Sequence, residues 1–135
     1  LILEDDFEPI IDTKTFTTNW KYFVNNYTDF NVCQLSYKNI ITPIACDESE
    51  VVYFCSNSQT ASAYVINLQF ASTIVKDLHV AAEHLMRGDD PNIFAYDQYW
   101  KKYQTIKNKW WQLKRCGQQI VDYSDLERRV VDYKC

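Results

Sequence analysis

Glycine and proline are scarce in this chain, two of the first and three of the second in 135 residues, so long flexible linkers are excluded. No apolar run approaches the roughly twenty residues that a membrane-spanning helix needs. No segment repeats internally or falls to low complexity. Also missing are a C-x-x-C pair, a G-x-S-x-G turn, a phosphate-binding P-loop and the glycine pattern of dinucleotide-binding folds. The composition that remains is that of an ordinary globular protein: 47% hydrophobic, 24% charged, with a net charge of −4. The length suits a single domain, 1–135, with a real core. Ten Tyr and four Trp mean that much of the apolar surface ends in a polar tip needing a partner or a wet edge.

The clearest periodicity is an apolar ladder at spacings of four and three: Tyr64, Leu68, Ala71, Val75, Leu78, Ala82 and Leu85. In a helix of 3.6 residues per turn those rungs share one face. Gly88 then offers a helix stop, followed by Asp89, Asp90 and Pro91. A second ladder runs through Tyr96, Tyr99, Tyr103, Ile106, Trp110 and Leu113 to Gly117. Two such ladders joined by a short polar turn predict a long antiparallel helical hairpin, residues 60–87 and 92–116. The expected fold is mainly α with a small β-hairpin (α+β), the helical hairpin packing against an N-terminal helix and a short C-terminal one.

Residues 1–12 carry five acidic and no basic side chains, which reads as a solvated acidic arm. From Thr13 the spacing of Phe16, Trp20, Phe23, Val24 and Tyr27 predicts a helix over 13–29, capped by Asp12 or Thr13. Between 37 and 56, two β-branched and aromatic runs flank Asp47-Glu48-Ser49-Glu50, as in a hairpin whose first strand Pro43 confines to an edge. Ser124-Asp125-Leu126-Glu127 has the spacing of a capping box, predicting a last helix over 124–133.

Five cysteines are an odd number, which in a secreted protein suggests two internal bridges and one thiol free or joined to another chain. Cys46 and Cys55 flank a short loop suited to a bridge, Cys33 and Cys116 form the second candidate pair, and Cys135 is left as the free or intermolecular thiol. Asn26-Tyr27-Thr28 is an acceptor triplet for N-glycosylation. Together with a first residue, Leu1, that is not Met, these features favour a secreted or lumenal protein, with a cytoplasmic one as the alternative.

Catalytic signals are thin. His79 and His84 are five residues apart, about 140° from each other round a helix, so they cannot chelate one ion from a regular helix. Gly88-Asp89-Asp90 resembles a polymerase metal tripeptide only in composition, because it lies between two helical ladders rather than in a strand-to-strand turn. No metal or cofactor is called for. The most suggestive stretch is 98–121, where Lys101, Lys102, Lys107, Lys109, Lys114 and Arg115 interleave with Trp100, Tyr103, Trp110 and Trp111 and no acidic residue intervenes. Cations among rings are what a nucleic-acid groove uses. A helical wheel spreads these charges round the circumference, however, and the net charge is negative, so a solvated helix face is the preferred reading. For the tryptophans the preferred reading is packing against Phe16, Trp20 and Phe23; if exposed, Trp100, Tyr103, Trp110 and Trp111, with Lys107 and Lys114, would be binding anchors. The functional expectation is a non-catalytic secreted or lumenal protein-interaction module that self-associates or takes a protein partner, with a disulfide-linked oligomer in view. The alternatives are a carrier of a small apolar ligand between aromatic helices and a nucleic-acid-binding protein using 98–121.

Overall fold

Strand alternation organises the centre of this chain. The computed structural model describes residues 1–54, 56–106, 109–124 and 128–132. In order these form β1 (Ile2–Leu3), β2 (Phe7–Pro9), α1 (Thr13–Asn26), β3 (Val32–Gln34), β4 (Lys38–Asn39), β5 (Ile44–Ala45), β6 (Val52–Phe54), β7 (Ser58–Gln59) and β8 (Ala63–Ile66). Then come α2 (Leu68–Met86), the single turns α3 (Pro91–Phe94), α4 (Tyr96–Tyr99) and α5 (Lys101–Gln104), and β9 (Trp110–Leu113), β10 (Gly117–Gln119), β11 (Asp122–Ser124) and β12 (Arg129–Val131).

Six strands build one mixed sheet in the order β1-β8-β3-β9-β6-β5, with β3 and β9 parallel and the other neighbours antiparallel. Successive side chains of a strand point to opposite faces, and two cores follow from that rule. On one face Cys33, Ala63, Trp111, Leu113 and Val52 pack with Phe23 of α1, flanked by Phe16, Trp20 and Tyr27. On the other, Val32, Tyr64 and Trp110 pack with Ile74 of α2 and with Trp100. Helices thus cover both faces.

The mainly helical fold with a long helical hairpin is therefore corrected: the protein is mixed, 37% helical and 25% strand. Of the segment 60–87, residues Ala63–Ile66 are strand β8, and Asn67 starts the helix by accepting a hydrogen bond from Gln69 N at 2.9 Å. Tyr64 fits the helical spacing only because it lies four residues before Leu68. The segment 92–116 breaks at Ala95, whose ψ of 145° is extended, and its ladder ends in strand β9. All four residues of β9 are buried. A strand buried on both faces loses its polar alternation, so Trp110 and Leu113, three apart, passed for helical rungs. Over 124–133, Ser124 and Arg129–Val131 belong to the antiparallel pair β11–β12, while 125–127 and 133 lie outside the described residues. The β-branched Val130 and Val131 suit a strand better than a helix.

Three other segments take their places from local chemistry. Asp12 caps α1, accepting from Thr15 N at 2.9 Å. The acidic leader pairs into sheets while most of its side chains stay exposed: β1 pairs with β8, and β2 with β10. Gln119 and Gln118 donate to Asp6 and Glu8 at 2.6 and 3.0 Å, so amides rather than cations meet those carboxylates. The turn at Asp47–Glu50 joins β5 to β6, and β5 is a sheet edge.

Gly117 sits against the leader. A Cβ there would stand 2.1 Å from Phe7 Cε2 and 2.7 Å from the Glu8 carbonyl oxygen. Backbone cannot move aside cheaply, so Gly117→Ala is expected to cost roughly 1–3 kcal/mol in urea unfolding. A variant with an unchanged midpoint would mean that β2 does not pair with β10.

Asp47 ties the β5–β6 turn to α1. Its carboxylate accepts from the Ser49 hydroxyl, from Ser49 N at 3.0 Å, from the Tyr22 hydroxyl and from the Tyr27 hydroxyl at 2.9 Å. These bonds, Ser49's and Tyr22's foremost, hold its pKa down at about 2 against an ordinary 3.8. A depressed carboxyl contributes stability that is present above the ordinary value and is lost as pH falls through about 2. Asp47→Asn should therefore flatten the loss of stability between pH 4 and pH 2, measured as urea midpoints. An equally steep acid limb in the variant would remove Asp47 from that role.

Candidate interaction surface

The residues that sequence singled out fall mostly inside the protein. Trp100, Trp110 and Trp111 are 1%, 0% and 6% exposed. Trp110 and Trp111 are neighbours in one strand and so face opposite sides of the sheet. Trp110 meets Trp100 edge to face with centroids 4.9 Å apart, whereas Trp111 meets Tyr27 at 4.6 Å. Trp111 thus packs beside Phe16, Trp20 and Phe23, and Trp100 does not. Tyr103, half-buried, joins Trp100 on the α2 side and donates its hydroxyl proton to Asp77. None of these three indoles is left open for stacking.

The cations of the same stretch are mostly engaged within the chain. Lys102 Nζ lies 2.6 Å from Asp77 and 3.9 Å from the centre of the Tyr99 ring. Lys109 pairs with Asp29 at 2.5 Å, Lys101 donates to Gln98 at 2.7 Å, and Arg115 donates to the Tyr37 carbonyl at 2.5 Å. Lys114 is exposed, and Lys107 lies outside the described residues. A narrow groove lined by Leu78, Tyr96, Tyr99 and Tyr103 separates α2 from α4 and α5, and it is too tight for a water molecule. An apolar ligand would have to open it.

Three glutamines, Gln34, Gln104 and Gln112, are buried completely. Gln34 Oε1 accepts from Trp110 Nε1 and from Gln112 Nε2, both at 3.2 Å, and Gln112 also donates to Asn39 at 2.6 Å. Gln104 pairs with both backbone groups of Ser58, at 2.7 and 2.8 Å, as a neighbouring strand would. Thr60, beside them, has a φ of 77°, costly for a β-branched residue. Its N–H donates to Asp97 at 3.1 Å and its carbonyl accepts from Gln34 at 3.2 Å, which fixes the strained turn. Glutamine inside a strand gives no sequence cue that its amide will be enclosed.

Cys33 and Cys116 are buried free thiols in the same core cluster, and Cys46 is a half-buried one. Burial pushes Cys116 up to about 12 and Cys46 up to about 11, and raises Cys33 as well, so all three are protonated near neutrality. Cys55 and Cys135 lie outside the described residues. Asn26 is the exposed last residue of α1, its amide donating to the Tyr22 carbonyl at 2.8 Å. His84 stacks on Phe94 with centroids 3.9 Å apart and bonds Asp89 at 2.7 Å, while His79 is exposed. Among the described residues no group of three or more His, Cys, Asp or Glu is placed to hold a metal ion.

What the structure does expose is one side of α2. Ile74 and Ala81 are buried, and Phe70, Ala71, Asp77, Leu78 and His84 are partly buried around them. That inward face is turned from the sequence ladder by about a quarter turn of the helix. Its effect is to leave Leu68 87%, Val75 50% and Met86 80% exposed, with Ala82 exposed in line. Ser72 and His79, also exposed, complete a seam at 68, 72, 75, 79, 82 and 86. Singly exposed apolar residues are ordinary; several in register along one helix make a candidate docking face. No helix among the described residues is long and apolar enough to cross a membrane. Comparison with protein-family models, curated proteins and solved structures finds no match to this chain.

Proposed function

We propose that this protein is a non-catalytic protein-interaction module, secreted or lumenal, that docks its partner on the outer seam of α2. The observation that carries the reading is that seam: Leu68, Val75 and Met86 in register and open to solvent on a nineteen-residue helix whose inward side buries Ile74 and Ala81. Two supports are independent of it. The thiols Cys46 and Cys116 are held well above the neutral range, which suits packing rather than nucleophilic chemistry. Asn26 of the acceptor triplet is an exposed residue, as a glycosylated secreted protein requires.

Paired substitutions separate surface from core. Val75→Glu with Met86→Glu is expected to leave the unfolding free energy within about 0.5 kcal/mol of the parent, because both side chains already meet water. Strong destabilisation would put the seam in the core and overturn the reading. Intact mass with and without reductant tests the compartment: a glycan at Asn26 or a disulfide supports secretion. Five reduced thiols with an unmodified Asn26 in the freshly isolated native protein overturn it.

A further inference from the structure

We infer that the occupant of the α2 seam is a second copy of this chain, with the two α2 helices antiparallel about a two-fold axis between residues 80 and 81. The inference rests on the reading of the seam as a docking face and adds the partner to it. The six exposed positions, Leu68, Ser72, Val75, His79, Ala82 and Met86, alternate spacings of four and three. That is the 3.5-residue period by which one helix presents a continuous line to another. At this register the two helices overlap over residues 75–86: Val75 of each copy lies over Met86 of the other and His79 over Ala82, while Leu68 and Ser72 extend beyond the overlap. Large then meets flexible and large meets small, which lets the facing layers interdigitate.

Charge sets this register among those the seam spacing allows. Lys76 and Glu83 flank the seam on one rim, seven residues apart. Among the described residues Lys76 makes no ion pair within its own chain, and Glu83 has an exposed pair with Arg87 at 3.3 Å. In a two-fold antiparallel pair, like rims meet. Lys76 of one copy then comes within two residues, about 3 Å along the axis, of the point facing Glu83 of the other, and symmetry makes the contact twice. A parallel pairing would set this rim against the opposite side of the second helix, where Leu78 and Ala71 pack on their own chain. Opposite charges placed this way fix register and orientation more than they add affinity.

The test is sedimentation of the full chain in reductant, so that no disulfide can hold a dimer. The average mass is expected to rise with concentration from the 16.0 kDa of the monomer towards twice that value. Lys76→Glu and Glu83→Lys should each weaken self-association roughly tenfold, because each turns two attractions into two repulsions. Mixed together, those two variants should pair with each other at least as well as the parent pairs with itself, since every facing charge is again opposite. A parent that stays monomeric at all concentrations overturns the proposal. So does a dimer indifferent to both charge changes, which would rule out this register. If the parent is monomeric while the Val75→Glu, Met86→Glu chain stays folded, only the second copy is lost and the docking face awaits another partner. If that double variant unfolds, both readings fall.

Discussion

Replacing Trp110 with alanine is expected to lower the unfolding free energy by about 3–5 kcal/mol, the range for deleting a large buried aromatic. Trp110 is fully buried in the central parallel pair β3–β9, aligned with Val32. Its ring meets Trp100 edge to face, and its N–H serves Gln34 Oε1 at 3.2 Å. The substitution therefore opens a cavity and removes a donor from a buried polar layer at once. Trp110→Phe separates the two effects. It keeps most of the ring while Gln112 still serves Gln34, so it should cost less than half as much. Urea unfolding followed by circular dichroism reads both variants. A loss under 1 kcal/mol for Trp110→Ala would mean that this face of the sheet is not a core.

Legibility in this sequence follows burial. The start of α1 could be read because Asp12 is an exposed cap and the helix is buried on one side only, so its apolar residues recur at helical spacing. Strands enclosed on both faces have no such contrast. Val32–Tyr37 is buried without interruption, and so is Trp110–Leu113. In β9 the polar Gln112 points inward like its neighbours, which defeats any rule that equates polar with exposed. The longest apparent ladder misled for a related reason. It joined the β-strand residue Tyr64 to rungs of α2 across Asn67, whose side chain caps the helix and so marks the boundary. A cap inside an apolar run was the available signal.

The same ladder carries the lesson about the site. The sequence spacing places Leu68, Val75 and Ala82 as rungs facing a core, yet all three are exposed, and Asp77 faces inward to meet Lys102 and Tyr103. Those partners are twenty-five or more residues away, beyond the reach of local periodicity. The aromatic and basic stretch 98–121 pointed to a binding surface by composition, but its rings fill both sides of the sheet and most of its cations find acceptors within the chain. Composition located the residues that matter to stability rather than those open to a partner.

On the opposite face of the sheet from Trp110, Phe23→Ala should have an effect of the same size, about 3–5 kcal/mol. Phe23 is the one fully buried residue of α1. Its ring lies 5.0 Å from Phe30, 5.4 Å from Trp20 and 5.7 Å from Tyr27, and Tyr27 in turn packs 4.6 Å from Trp111 of β9. Truncation leaves a void among three rings that are themselves fixed by the helix and the sheet, so the site cannot collapse to fill it. Phe16→Ala, on the half-buried first turns of the same helix, is the comparison. Its ring has one stacked neighbour, Trp20 at 6.5 Å, and its loss should cost less than half as much. Urea midpoints of the two variants decide the point. Equal losses would mean that α1 is held along its whole length, and a Phe23→Ala loss below 1 kcal/mol would mean that it is not docked on the sheet.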